Sequence, residues 1–306
     1  MAYYTGSVNS YSDLILVVST VCANHGWAYS NGILSKGTAF VALELGGSGS
    51  NGEGVLAQGG SGQNAGTLVD PSPIKARLGR PTSSGNYWEP VSWPVSYHIH
   101  ISENPDEVYI LLNVGITGYY WLAFGRSAIA SLPGSGLWLS GTIGAYDSGS
   151  RGISITNTGG NRSSSDSCPA PFWGTPSSSS SASYFGETVH TGPEAWSGFS
   201  GEALLGVSAL SPLIERSPSN WNGESVLLPI RVYQTRPESK MRLVAELAHT
   251  RYVRLKNLEP GQIITLGTEQ WKVYPFYKKN ASSPNGGSSL SHTGTFGWAL
   301  RHEEAA

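Results

Sequence analysis

Cysteine and charge are both scarce in this 306-residue chain, which has two Cys, two Met and only 13% charged residues. Cys22 and Cys168 lie far apart, so a disulfide-stapled scaffold is excluded. The 21 acidic and 19 basic side chains leave a formal net charge of −2. No global field exists to hold a phosphate backbone, and nucleic-acid binding is not expected. No apolar run reaches the roughly 18 residues of a membrane-spanning helix. No repeat of fixed period supports a solenoid or propeller. The opening MAYYTGSVNSYSD has no basic segment followed by an apolar core, so no signal peptide is expected, and synthesis and assembly in the cytoplasm are. Catalytic signatures are also missing: there is no Walker-type lysine and no GxSxG elbow. Gly52, Gly54 and Ala57 form GxGxxA without the leading strand and following helix that would organise a phosphate site.

Glycine (39), proline (18), tyrosine (15) and tryptophan (10) are abundant. Short aromatic and β-branched runs alternate with Gly/Ser turns. That pattern predicts a predominantly β fold, with antiparallel sheets in a sandwich-like arrangement and an N-terminal amphipathic helix as the α+β element. The helix is expected from Ser10 to Ala23, with Ser10 and Asp13 at capping-box spacing and Leu14, Val18, Val21 and Cys22 on one face. Gly26 supplies the left-handed stop. Asn31 and Gly32 then suit a type I′ hairpin turn, and AFVALEL enters a sheet. Trp27 and Tyr29 share one strand face, placed to pack against the helix or a neighbouring subunit.

Five segments follow from composition. Residues 1–45 form a helix-hairpin-strand unit, and 46–70 a Gly-rich loop or arm. Residues 71–160 form a central antiparallel region, 161–183 a Ser-rich loop, and 184–306 a β-rich region packed on the centre. PVSYHIHIS, DEVYILLNV and YYWLAFGRS read as adjacent antiparallel strands. Alternation in YYWLAF sends Tyr119, Trp121 and Ala123 one way and Tyr120, Leu122 and Phe124 the other. Both faces are apolar, which predicts cover on both sides by a second layer or a partner. Pro229 predicts an edge or bent strand. MRLVAELAHT fits a helix or a strand, and GQIITLGTEQWKVYPFY reads as a hairpin.

His98 and His100, two apart on a strand, aim the same way, but no third ligand stands at a recognisable spacing. No metal or other cofactor is expected. Turn placement accounts for Asp106 and Glu107, and Glu89, Glu103 and Glu187 form no singled-out pair, so an enzyme is not expected. Trp27, Tyr29, Trp138, Phe172 and Trp173 are the candidates for an interface or for stacking on a glycan, with Phe172 and Trp173 also placed to pin the Ser-rich loop.

YYTGSVNSYSDL running into GWAYSNGILSKG, with GYYWLAFGRS and PGQIITLGTEQWKVYPFYKKN further on, resembles poorly characterised virion structural proteins of tailed bacteriophages and prophages. The resemblance implies a non-enzymatic particle component, in the tail or baseplate, assembling with other virion proteins and copies of itself. A receptor- or carbohydrate-binding module of the tail tip, facing a host-surface glycan, is the first alternative. A capsid-associated or head-tail connector component is the second.

Overall fold

The computed structural model describes residues 1–46, 53–80, 89–129, 133–144, 152–154, 161–162, 166–167, 171–172, 175–176, 186–192, 195–198, 204–205, 225–238, 240–282, 286–290 and 293–303. Local sequence signals account for the N-terminal elements. The helix spans Tyr11–Ala23. The Ser10 hydroxyl accepts from the Asp13 N–H at 3.0 Å, while the Asp13 carboxylate accepts from the Asn9 N–H at 3.2 Å. Leu14, Val18, Val21 and Cys22 are its buried face. Gly26 follows at φ +76°, and Asn31 and Gly32, at φ 51° and +79°, turn the chain between paired Ser30 and Ile33. Only a residue without a Cβ holds such a positive φ freely. Gly32→Val is therefore expected to lower stability by about 1–2 kcal/mol; a thermal melt superimposed on the native one would dismiss this role for the turn.

Three large sheets are stacked in layers. The inner sheet has seven strands in the order Ala2–Val8, Val95–Ser102, Glu107–Asn113, Tyr119–Arg126, Leu137–Gly141, Thr188–Gly192 and Ala195–Gly198. Its first strand pairs antiparallel with Val95–Ser102, and the three central hairpin-linked strands follow as the alternation predicts. The N-terminal sheet runs Ile143–Gly144, Ala76–Gly79, Gly54–Gly60, Ala39–Gly46, Ile33–Lys36, Ala28–Ser30. The C-terminal sheet runs Leu204–Leu205, Leu228–Arg236, Lys240–Arg254, Phe296–Arg301, Glu269–Pro275, Ile263–Leu266.

Two cores separate the layers. Tyr120, Leu122 and Phe124 meet the helix and the N-terminal sheet through Leu14, Val18, Val41 and Ala57. On the other face, Tyr119, Trp121 and Ala123 meet Val232, Tyr274 and Trp298 of the C-terminal sheet. The two-sided apolar strand is thus covered by the chain's own layers. That burial accounts for the aromatic residues of this strand.

The Gly-rich loop or arm expected at 46–70 is corrected: Gly54–Gly60 is a mostly buried strand between Ala39–Gly46 and Ala76–Gly79. Glycine here answers a steric demand. A Cβ on Gly59 would lie 2.6 Å from Leu139 Cδ1 and from the Trp196 ring, so the layers approach closely only over a bare backbone. The unit at 1–45 also has its strands distributed over the inner and N-terminal sheets. MRLVAELAHT belongs to the long Lys240–Arg254 strand. At Pro229 the Leu228–Arg236 strand is bulged, with Pro229 opposite Arg251 and Ile230 opposite Leu247, and among the described residues its other side is paired only at Tyr233 and Gln234.

Candidate functional site

The predicted aromatic contacts are placed very differently from one another. Trp27 is buried and meets Phe124 edge-on at 5.7 Å, so it belongs to the core. Trp138 and Phe172 are also buried and pack together at 6.3 Å, and the Phe172 N–H donates to the Glu187 carboxylate at 2.9 Å. Solvent-facing stacking by Trp27, Trp138 or Phe172 is corrected by that burial. Trp173 and Cys168 lie outside the described residues. Among the described candidates Tyr29 alone is exposed, at 41%. Cys22 is fully buried, and burial pushes its thiol up to about 12, leaving it a neutral apolar filler.

Tyr29 stands on a sheet margin. Ala28–Ser30 ends the N-terminal sheet with all three residues exposed. Ile263–Leu266 ends the C-terminal sheet, with Ile263 and Leu266 41% and 46% exposed. Among the described residues, neither margin carries a further strand. Open strand margins with apolar side chains are templates for pairing with another chain.

His98 and His100 do face one way, into an aromatic and cationic cluster between the inner and C-terminal sheets. The Tyr3 hydroxyl lies 2.7 Å from His98 Nδ1 and accepts from Lys272 Nζ at 3.0 Å. His100 Nε2 is 3.2 Å from the Tyr274 hydroxyl, and its ring is 5.9 Å from that of His302. Burial, reinforced by Lys272, pulls His98 down to about 4. Burial first, then His302, pulls His100 well below the usual imidazole range. Among the described residues, no group of three or more His, Cys, Asp or Glu is arranged to hold a metal ion. Likewise, no described helix is long and apolar enough to cross a membrane.

The carboxylates weighed for catalysis are dispersed. Asp106 pairs with Lys36 at 2.7 Å and Glu89 with Lys278 at 2.5 Å, and Glu103 faces Lys36 at 3.6 Å. Glu107 is fully buried. The bulge opposite Pro229 leaves residues 248–250 without partners in the Leu228–Arg236 strand. The Glu107 carboxylate takes two of the freed donors, the Ala248 N–H at 2.7 Å and the His249 N–H at 3.0 Å, as well as the Tyr109 hydroxyl at 2.7 Å. Burial raises this acid to about 7, against the downward pull of those three bonds.

A cleft of about 650 Å³ opens beside this seam, lined by Asn104, Arg126, Ser127, Gly134, Ser135 and Ala248 among others. In sequence Ser135 is one of many serines in polar turns, and nothing in its spacing marks it. In the fold its hydroxyl and its N–H both lie 2.9 Å from His190 Nδ1. A backbone N–H can only donate, so Nδ1 carries the lone pair and Nε2 carries the hydrogen. Nε2 meets the Asp70 carboxylate at 3.1 Å. Asp70 is itself anchored, since the Trp196 indole N–H donates to its carbonyl at 2.9 Å and the Trp196 ring lies 4.8 Å from that of His190. The Gly136 N–H donates to the His190 carbonyl at 3.1 Å and ties the serine loop to the histidine strand. Arg126 shares the cleft, and its Nε is buried with no hydrogen-bond partner among the described residues. No distance pattern in the sequence announces this group: Asp70, Ser135 and His190 come from three separate segments.

No protein-family model matches the chain, and neither does any curated protein sequence.

Proposed function

We propose that the chain is a structural component of a tailed-bacteriophage virion, in the tail or baseplate, whose main task is protein–protein assembly. The observation that supports this most is the pair of open sheet margins, Ala28–Ser30 and Ile263–Leu266, bearing exposed Tyr29, Ile263 and Leu266. Repeated around a symmetric particle, contacts of this size add through avidity. Low charge fits a subunit that keeps much of its surface against neighbours. The resemblance of its N-terminal, central and C-terminal phrases to virion proteins points the same way.

Proteomic mass spectrometry of purified particles is expected to find the chain in stoichiometric amounts, and its absence would end the proposal. Ile263→Lys combined with Leu266→Lys should leave stability within about 1 kcal/mol, since both side chains are exposed. The same pair should abolish incorporation, because lysine on a margin blocks strand addition. Normal incorporation of the double variant would remove this margin from the assembly surface.

A further inference from the structure

We infer that the cleft beside Ser135 is an acyl-transfer site, with Ser135 as nucleophile, His190 as general base and Asp70 as the group that orients it, acting on small carboxylic esters. The inference stands on side-chain geometry and is independent of the virion assignment.

Three requirements of a serine nucleophile are met by side chains from separate segments. The hydroxyl and the base are in hydrogen-bond contact, at 2.9 Å from Ser135 Oγ to His190 Nδ1. The far ring nitrogen is held by a carboxylate, at 3.1 Å from Nε2 to Asp70. The tautomer is fixed, because the Ser135 N–H donates to Nδ1 and so assigns the ring hydrogen to Nε2. Such a constellation is recognised by geometry and roles and not by sequence order, and the usual ring nitrogens are simply exchanged here. The base is shielded: His190 is 4% exposed, under the Trp196 ring. The nucleophile is not, since Ser135 lines an open cleft large enough for an acyl group and one alcohol unit.

The step balances within these residues. Ser135 Oγ bonds to the ester carbonyl carbon as its proton passes to His190 Nδ1. That transfer releases the Ser135 N–H from Nδ1, and the imidazolium is held through Nε2 by the Asp70 carboxylate. The carbon–oxygen bond to the alcohol then breaks, and the alcohol leaves with the proton from Nδ1. Water attacks the acyl-serine by the same route, giving the carboxylic acid and restoring Ser135. Arg126 is a cation lining the same cleft, placed to meet the carbonyl oxygen as it gains charge. Esters are favoured over amides because an alcohol oxygen is a better leaving group than an amine nitrogen and asks less of the proton delivered from Nδ1.

A fluorophosphonate tests this directly: attack by Ser135 forms an oxygen–phosphorus bond and expels fluoride. Intact-mass and peptide analysis of the full-length protein is expected to show one adduct, on Ser135. Ser135→Ala should give none. Asp70→Asn keeps the shape of the side chain and should slow labelling by about 100-fold or more, because the imidazolium formed as the serine attacks loses the carboxylate charge that stabilises it. Circular dichroism of both variants should match the native spectrum. 4-Nitrophenyl acetate should be hydrolysed with the same ranking of variants. Failure to label Ser135 in the folded native protein, or equal labelling of native protein and the Asp70→Asn variant, would show the three residues to be a structural clip and overturn the inference.

Discussion

Trp298→Ala is expected to cost about 3–5 kcal/mol, the range for emptying a buried aromatic site. Trp298 is fully buried in the core between the inner and C-terminal sheets. Its ring centroid lies 4.7 Å from that of Trp121, 5.6 Å from Tyr109 and 6.2 Å from Phe276, so truncation opens a void with rigid walls from two layers. Its indole nitrogen has no hydrogen-bond partner among the described residues. Trp298→Phe therefore sacrifices volume but no polar bond, and should cost roughly half as much or less. Urea unfolding reads both: the alanine variant should move the midpoint far down at nearly unchanged slope, the phenylalanine variant much less. An alanine variant within about 1 kcal/mol of the native protein would mean that the two layers do not depend on this ring.

Glu107 governs the second large effect. Alanine in its place leaves the Ala248 and His249 N–H groups and the Tyr109 hydroxyl without their acceptor. At about 1–3 kcal/mol for each buried orphan, a loss of several kcal/mol is expected. The acid also sets a pH dependence. Its folded value, about 7, lies above its ordinary 4.5. Its stabilising contribution is thus complete below about 4.5 and is lost as pH rises through 7, on the order of 3 kcal/mol over that window. The buried imidazoles act oppositely. His98, His100 and His249 all lie below 6.5 in the folded protein, chiefly through burial, so their contribution is present above 6.5 and falls away on acidification. Three imidazoles oppose one carboxyl between pH 6.5 and 4.5, so the native protein should lose stability as the medium is acidified. Glu107→Gln removes the opposing slope, and its melting temperature should fall more steeply with acid than the native one. Parallel pH curves for the two proteins would refute a raised acid at this position.

Elements with short-range causes were legible in the sequence. A capping serine and a left-handed glycine bound the helix, Asn31 and Gly32 fix their turn, and strict alternation sorts Tyr119 to Phe124 onto two faces. Features created by distant neighbours were not. Gly59 looks like loop chemistry until Leu139 and Trp196 occupy the space of its missing side chain. Glu107 follows a turn and reads as solvated until the bulge in another strand presents two bare N–H groups. Asp70, Ser135 and His190 are ordinary polar residues in sequence, and only strand pairing from Leu137–Gly141 to Thr188–Gly192 brings the last two together. The aromatic residues were legible as contact-makers but not as to whom they contact. Two internal cores among three sheets absorb Trp27, Trp138 and Phe172, leaving Tyr29 at a margin.

The place of Phe296–Arg301 in the C-terminal sheet sets an order on folding. Lys240–Arg254 and Glu269–Pro275 do not pair with each other; both pair with this strand, which lies between them and is made after both. Until it arrives, each presents an open ladder, and the core lacks Trp298. Closure of that layer therefore trails synthesis, and the long-range pairings it awaits favour slow folding. The unfilled slot is also where a strand from another molecule would compete, so the yield of folded protein should fall with chain concentration during refolding.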